Sequence, residues 1–138
     1  MNDEIKDKIQ KVCDIYSKFC NTKFRTSLPV PSRVKFDLET TDPKCAGMAY
    51  SFDLSISLNG ILLKNNISEF LNQIIPHELA HLVVFQKYNH LGVDTQGHGA
   101  EWQLVMKKLG KKADRYHKMN TKEAIIFHKN NKQLKNGI

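Results

Sequence analysis

Residues 74–85, with the sequence IIPHELAHLVVF, constrain this chain more than any other stretch. Residues four apart lie on one face of a helix, so His77 and His81 point the same way and can bind one metal ion together. Glu78 projects beside that pair, where it could take a proton from a water molecule at the metal. Nearly all the other positions are apolar, which is typical of a buried helix. Because buried imidazoles need polar partners, a zinc ion is favoured over the alternative, two hydrogen-bonded core histidines and a capped glutamate.

A third histidine lies in residues 96–102, whose sequence is QGHGAEW. A catalytic zinc site usually has three protein ligands and an open position, whereas a structural site usually has four. His98 stands between two glycines, which allow sharp turns, and just before a helical pattern at 100–109. From that helix start, His98 could turn its ring towards the first pair. Trp102 follows four residues later on the same face, and we expect it to hold His98 in place by packing.

Two motifs, HELAH at 77–81 and GHGAEW at 97–102, occur here in succession. In this combination they resemble the SprT-like zinc metallopeptidase family, to which bacterial SprT and the catalytic domain of Spartan belong. The stretches GMAY at 47–50 and ISLN at 56–59 are also similar to that family. The resemblance extends over approximately residues 34–110. HExxH alone occurs in many zincins, so the combination of the two motifs is the more specific signal.

This resemblance implies a zinc-dependent endopeptidase that hydrolyses a peptide bond. It implies His77, His81 and His98 as the Zn²⁺ ligands and Glu78 as the general base. The implied substrate is a protein that is bound or crosslinked to DNA. For the donor that stabilises the oxyanion, the chemistry of its hydroxyl makes Tyr50 a candidate.

Alternating and helical patterns predict an α+β fold. Apolar residues recur at helical spacing over residues 5–20, which predicts an amphipathic first helix. Alternation predicts three strands, at 33–38, 46–51 and 54–58, the last ending at the turn signal Asn59-Gly60. With the resemblance, these patterns predict a small zincin-type metalloprotease domain. It should have an N-terminal helix, an approximately three-stranded, mostly antiparallel sheet, the HExxH helix and further C-terminal helices.

The start of the HExxH helix has its own signals. Asn66 and Glu69 have the spacing of a capping box, which predicts a helix that begins there and runs to about residue 87. Pro76 lacks the N–H group that would bond to the carbonyl of residue 72. We therefore expect a kink or a restart of the helix just before the HELAH segment.

The positive charge of the chain is confined to its C-terminal part. Residues 1–106 carry 11 basic and 12 acidic side chains, whereas residues 107–138 carry 10 basic and 2 acidic ones, a net charge of −1 against +8. Such a one-sided basic segment favours a polyanionic partner, usually nucleic acid, and the alternative is a solvated tail that aids solubility. We expect binding that is independent of base sequence and predict its contact residues as Lys107, Lys108, Lys111, Lys112, Arg115 and Lys118.

The length of 138 residues is typical of one domain. We predict a metallopeptidase domain at 1–110 and a basic, partly helical extension at 111–138. The SprT family commonly ends in a zinc ribbon with two cysteine pairs, but no cysteine follows Cys45, so a ribbon is not expected. Two further histidines, His117 and His128, are predicted to be surface residues.

Several features favour a cytoplasmic protein, in the host cytoplasm if the chain is phage-encoded. No run approaches the ~18 apolar residues of a membrane span. The N-terminus has no apolar segment of the kind found in secretory signals. The three cysteines show no pairing pattern, which favours reduced thiols.

Two other classes of function stay open. One is a DNA-binding module with a structural zinc site and no peptidase activity, which should have a fourth protein ligand. The other is a metal hydrolase that acts on a substrate other than a peptide. A peptide-cleavage assay with and without DNA distinguishes all three.

Overall fold

A computed structural model describes residues 1–92, 95 and 97–136 of the chain, the last five as backbone only. The strands are Arg33–Lys35 (β1), Gly47–Tyr50 (β2) and Ser55–Leu58 (β3). The α-helices are Asp3–Phe24 (α1), Gly60–Asn65 (α2), Ile67–Glu69 (α3), Ile75–Tyr88 (α4), Ala100–Lys108 (α5) and Lys122–Asn136 (α6). This arrangement confirms the predicted α+β fold with an N-terminal helix, a small sheet and C-terminal helices. Within the described residues, no helix has the length and apolar character needed to span a membrane.

The sheet is mixed, and its strand order is β1-β3-β2. β2 and β3 are joined by a short turn and pair antiparallel, with Gly47 opposite Leu58. β1 pairs parallel with β3, with Arg33 opposite Ser55. The expected antiparallel pairing therefore holds for β2 with β3 and is wrong for β1 with β3. The longer connection between β1 and β2 carries the chain across to the other side of β3, which short links alone do not predict.

The helix that contains HELAH runs through α3, a π-helical turn at Phe70–Ile74 and α4. The N–H of Ile75 donates to the carbonyl of Phe70, five residues earlier, which is the hydrogen bond of a π turn. Pro76 follows in the first turn of α4, where its missing N–H is tolerated. The predicted restart before the HELAH segment is confirmed, and α4 ends at Tyr88, close to the predicted end.

Two asparagines near these helices behave differently from their predicted roles. Asn59 does not end a hairpin strand in a tight turn but caps α2, because its side chain accepts from the N–H groups of Ile61 and Leu62. Asn66 directly precedes α3, yet it makes no capping hydrogen bond. Its amide donates instead to the carbonyl of Leu62, 2.8 Å away. The capping box is therefore wrong, although the helix begins where it was expected.

The hydrophobic core lies between α1, the sheet and α4. α4 packs against α1, α5 and β2, and this explains why it is apolar on most of its surface. Cys13 and Cys20 of α1 are fully buried in this core, and burial raises the pKa of each thiol to about 12. Both act as core side chains, as their helical spacing predicts. Trp102 of α5 is also part of the core.

Residues after Gly110 pack against the rest of the protein. Ala124 of α6 is fully buried. The carboxylate of Glu123 accepts hydrogen bonds from Lys64 Nζ at 2.9 Å and from Asn65 Nδ2 at 2.6 Å. The division of the chain into two parts at residue 110 stays a prediction about domain organisation.

Candidate metal centre

Three imidazole rings converge where α4 meets the segment before α5. His77 and His81 lie one turn apart on α4, as their spacing predicts, and His98 reaches them from its position before α5. The Nε2 atom of His98 is 3.0 Å from Nε2 of His77 and 3.2 Å from Nε2 of His81. Among the described residues, these three form the group with ligand atoms close enough to share a metal ion.

The geometry and protonation of this cluster fit a metal ion. Tetrahedral zinc with bonds of about 2.0–2.1 Å to nitrogen would place ligand nitrogens a little over 3 Å apart, near the separations observed here. Burial lowers the pKa of His77 to about 3 and that of His81 to about 4. Both rings are therefore neutral at pH 7, and each has a lone pair to offer. The pKa of His98 is also lowered, first by burial and then by the positive charge of Arg115.

Trp102 packs against all three rings. Its centroid lies 4.7 Å from those of His77 and His98 and 5.7 Å from that of His81. The indole Nε1 donates to the backbone carbonyl of His77 at 3.2 Å. The packing predicted between Trp102 and His98 is present, and it also extends to the two histidines of α4. α5 thus contributes a rigid aromatic face that fixes the orientation of the imidazoles.

Glu78 lies beside the cluster rather than in it. Its Oε2 is 3.9 Å from Nε2 of His77, and the side chain is buried. Burial raises the pKa of its carboxyl to about 8. A Cβ atom at Gly47 would lie 2.9 Å from Cγ of Glu78 and 3.0 Å from its Oε2. A larger residue at this position would collide with the carboxyl, so glycine at position 47 leaves room for Glu78 next to His77.

A cleft of about 500 Å³ opens at the three histidines. Its floor is α4 and the end of the π turn before it, which contribute Ile74, Leu82 and Phe85 beside the histidines. β2 and the loop before it line a second side. Residues 111–117, named here the strap, line a third side with Asp114, Arg115, Tyr116 and His117. In the described part of the chain, β2 pairs through one edge only, so its other edge is available at the cleft.

The strap is fixed at both ends. Nε2 of Gln73, one turn before His77, donates to the carbonyl of Lys112 at 2.6 Å. At the other end, Nε2 of His117 contacts the carbonyl of Lys44, in the loop before β2, at 2.7 Å. The strap therefore crosses from the start of α4 to the start of β2. The backbone of Asp114 also hydrogen-bonds the ring of His77, which partly opposes the lowering of the His77 pKa.

Two sequence-based assignments change in the light of this cleft. His117 lines it, so the prediction that His117 is a plain surface residue is wrong. Tyr50, the candidate for oxyanion stabilisation, is not among the residues that line the cleft; its ring lies edge-on to Phe52 with centroids 6.0 Å apart. No motif marks the strap, because its residues have the composition of an ordinary solvated basic segment.

Comparison with known proteins gives one family. The family model of SprT-like proteins matches residues 9–123. Protein SprT of Glaesserella parasuis is 36% identical over 115 residues, which are 83% of this chain and 66% of that protein. Protein SprT of Actinobacillus succinogenes is 44% identical over 78 residues, 56% of this chain and 44% of that protein. Protein SprT of Vibrio parahaemolyticus is 35% identical over 109 residues, 79% of this chain and 61% of that protein.

The matched regions thus span between 44% and 66% of the length of these relatives. No solved structure was found to match the chain.

Proposed function

The chain belongs to the SprT-like family, and from that premise we propose that it is a zinc-dependent endopeptidase. One observation carries the proposal. Three neutral imidazoles from two separate segments converge on one point, with a buried carboxyl beside them, in a cleft that has a free strand edge. Family membership and geometry thus support the same chemistry.

In this proposal His77, His81 and His98 hold the zinc and leave a position open for substrate. Bound zinc polarises a carbonyl and lowers the pKa of water to about 7. Burial favours the protonated carboxyl of Glu78 in the metal-free protein, and the positive charge of bound zinc would favour its ionised form. The ionised Glu78 would accept a proton from the attacking water and pass it to the leaving amine. Its position, one residue after His77 and in the space that Gly47 leaves open, puts the carboxyl to the side of the ligand set.

The free edge of β2 supports an extended peptide as the substrate. Such a peptide can pair with an unpaired strand edge through backbone hydrogen bonds, which bind it independently of its side chains. β2 packs on α4, so a peptide on that edge lies next to the histidines. The apolar side chains of the cleft floor would contact its side chains.

A module with an inert structural zinc fits these observations less well. Structural zinc usually has four protein ligands. In the described residues, the cluster has three, and the nearby Glu78 lies to one side. Three protein ligands support a site with an open position.

We further propose that the protein acts on DNA-bound or DNA-crosslinked proteins and that its basic residues contact the DNA. The support is the concentration of charge after residue 106 and the resemblance to a family with such substrates. Lys107, Lys108, Lys112 and Lys118 are exposed. Lys111 lies over the ring of Tyr16, with Nζ 5.5 Å from the centroid. Arg115 completes the proposed contact set of Lys107, Lys108, Lys111, Lys112, Arg115 and Lys118.

The test is cleavage of an unfolded protein and of a DNA-bound protein by the zinc-loaded chain, each with and without DNA. Wild type and Glu78→Gln are compared in parallel. We expect cleavage by wild type only, with DNA accelerating cleavage of the DNA-bound substrate. If no peptide bond is cleaved in any combination, the peptidase proposal is wrong. If DNA has no effect, the peptidase stands and the proposed role of DNA does not.

A further inference from the structure

The strap brings one basic side chain to the cleft. Of residues 107–122, all of which are described, Arg115 is the one with a cationic side chain that lines the cleft. The lysines on either side of it lie outside. The hydrogen bonds at Lys112 and His117 explain why Arg115 lines the cleft, because they hold the residues between them at its edge.

Among the strap residues that line the cleft, Arg115 and Tyr116 have side-chain donors without a hydrogen-bond partner in the described part of the chain, and Arg115 is the charged one of the two. Nε2 of His117 is bonded to the carbonyl of Lys44, and its Nδ1 accepts from the N–H of Met119 at 3.1 Å. The guanidinium of Arg115 lies 5.6 Å from the centroid of the Tyr116 ring, a cation–π contact that limits its orientations. Arg115 is exposed and so can reach a bound substrate.

The strap places Arg115 next to the metal cluster. The backbone of Asp114, the residue before Arg115, hydrogen-bonds the ring of His77, and both residues line the cleft. A guanidinium stays charged at all relevant pH values and can donate two parallel hydrogen bonds.

We propose that Arg115 is a catalytic residue, whose guanidinium donates hydrogen bonds to the oxygen of the scissile carbonyl and stabilises the negative charge that develops there. This inference rests on the proposed peptidase function. It replaces Tyr50, which the fold holds away from the cleft. In this proposal the strap does more than line the cleft, because it places the positive charge of Arg115 next to the carbonyl oxygen that becomes negative in the transition state.

The experiment compares zinc-loaded wild type with Arg115→Ala and Arg115→Lys in the absence of DNA. Lys18→Ala is the matched control, because Lys18 is an exposed cation of α1 that does not line the cleft. Two readouts are used: kcat and KM for an unfolded protein substrate, and the calorimetric affinity for a phosphinic peptide. The tetrahedral anion of that probe imitates the transition state. Zinc content is measured for every variant.

For Arg115→Ala we expect a fall in kcat of about 10²–10³, the usual effect of losing one oxyanion donor. KM and zinc content should change little, and affinity for the phosphinic peptide should fall by a similar factor. Arg115→Lys should lie between wild type and Arg115→Ala. Lys18→Ala should equal wild type.

An unchanged kcat for Arg115→Ala overturns the inference, and so does a rise in KM alone, which would assign Arg115 to substrate binding. These outcomes leave the peptidase itself intact. If wild type cleaves nothing, the proposed peptidase function is wrong. The affinity for the phosphinic peptide then still tests whether Arg115 binds an anion in the cleft. Equal affinity of wild type and Arg115→Ala then overturns the inference, whereas a selective loss supports Arg115 as the residue that binds an anion in the cleft.

Discussion

α4 and the strap both line one cleft, but different forces hold them. α4 is buried in the core, and its hydrogen bonds are those of a regular helix. The strap is largely exposed and is held mainly by side-chain contacts at its ends, through Gln73 and His117. The two sides should therefore respond differently to mutation. Changes on the α4 side should affect the metal and the general base. Changes in the strap should affect DNA binding and the positive charge that Arg115 brings to the substrate, and should leave the metal in place.

The largest effect is expected for His98, the proposed ligand that comes from the segment before α5. His98→Ala should lose both zinc and activity, whereas wild type should contain about one zinc per chain. Loss of even an outer partner costs about 10–100-fold in affinity, so removal of a ligand should exceed that range. Elemental analysis and a zinc titration measure this. His90→Ala, which alters an exposed loop histidine, serves as the control. Full zinc affinity in His98→Ala would remove His98 from the ligand set.

Glu78→Gln should lower the catalytic rate without loss of zinc, although Glu78 lies on the same helix as two of the ligands. We expect activity to fall by about 10²–10⁴, the contribution of a positioned base, while zinc and fold are retained. Glu69→Gln is the control, because Glu69 is an exposed carboxylate at the same cleft. The readouts are kcat, zinc content and circular dichroism. Loss of zinc together with activity would make Glu78 a ligand or a structural residue instead.

Gly47→Ala tests whether β2 positions the base. The new methyl group would meet Glu78 at 2.9 Å and displace its carboxyl. A displacement of about 1 Å in an active site can cost about 10²-fold in rate. We therefore expect a loss of kcat of this order with zinc content unchanged. Gly99→Ala is the control, since a Cβ atom there lies 3.7 Å from its nearest neighbour, an ordinary contact. If both variants are fully active, Gly47 has no positioning role.

The strap and its neighbours should determine DNA binding without affecting zinc. If about five phosphates are neutralised, log affinity should fall against log salt with a slope near −4 to −5. Reversal of Lys111, Lys112, Arg115 and Lys118 to glutamate should remove most of that slope. The control reverses four exposed lysines of α1 and changes the net charge equally: Lys8, Lys11, Lys18 and Lys23.

Binding over a salt series measures both variants. Equal affinity and slope for wild type and the strap variant would leave the basic residues as a solubility feature, with the last turn of α5 stabilised by the helix dipole.

The smallest effect concerns the metal-free protein in acid. Its folded state holds His77 and His81 neutral, with pKa values of about 3 and 4 against 6.5 for the ordinary side chain. The unfolded chain therefore takes up protons first, so stability is present above about pH 6.5 and is lost as the pH falls towards the folded pKa values. Each histidine contributes a loss of roughly 1 kcal/mol for each pH unit in this window. Glu78 opposes one of them, because its raised pKa of about 8 lets the folded state bind a proton there. We therefore expect a net loss of roughly 1 kcal/mol for each pH unit. Denaturant unfolding from pH 7 to pH 5 measures it, and a flat profile would contradict it.

The sequence predicted the parts of the site that depend on short chain distances. The four-residue spacing places His77 and His81 on one face whatever the rest of the fold does. Pro76 cannot donate to the carbonyl of residue 72, which predicts an interruption of the α-helical hydrogen bonds before HELAH, and the structure has a π turn there. The prediction of a capping box was wrong because a local pattern does not show which other hydrogen-bond partners a side chain will meet. The side-chain amide of Asn66 donates to the carbonyl of Leu62 in α2, a helix that was not predicted from the sequence.

By itself, then, the sequence determined the HExxH helix, the class of the fold and the three histidines to be tested. Only the tertiary structure decided that β1 runs parallel to β3, that Gly47 leaves room for Glu78 beside His77, and that the strap carries Arg115 to the cleft. The contact between His117 and Lys44 joins residues 73 positions apart in the chain. Helical spacing is a property of the local backbone, whereas such contacts exist only after long loops have closed and the core has packed, and no short pattern records them.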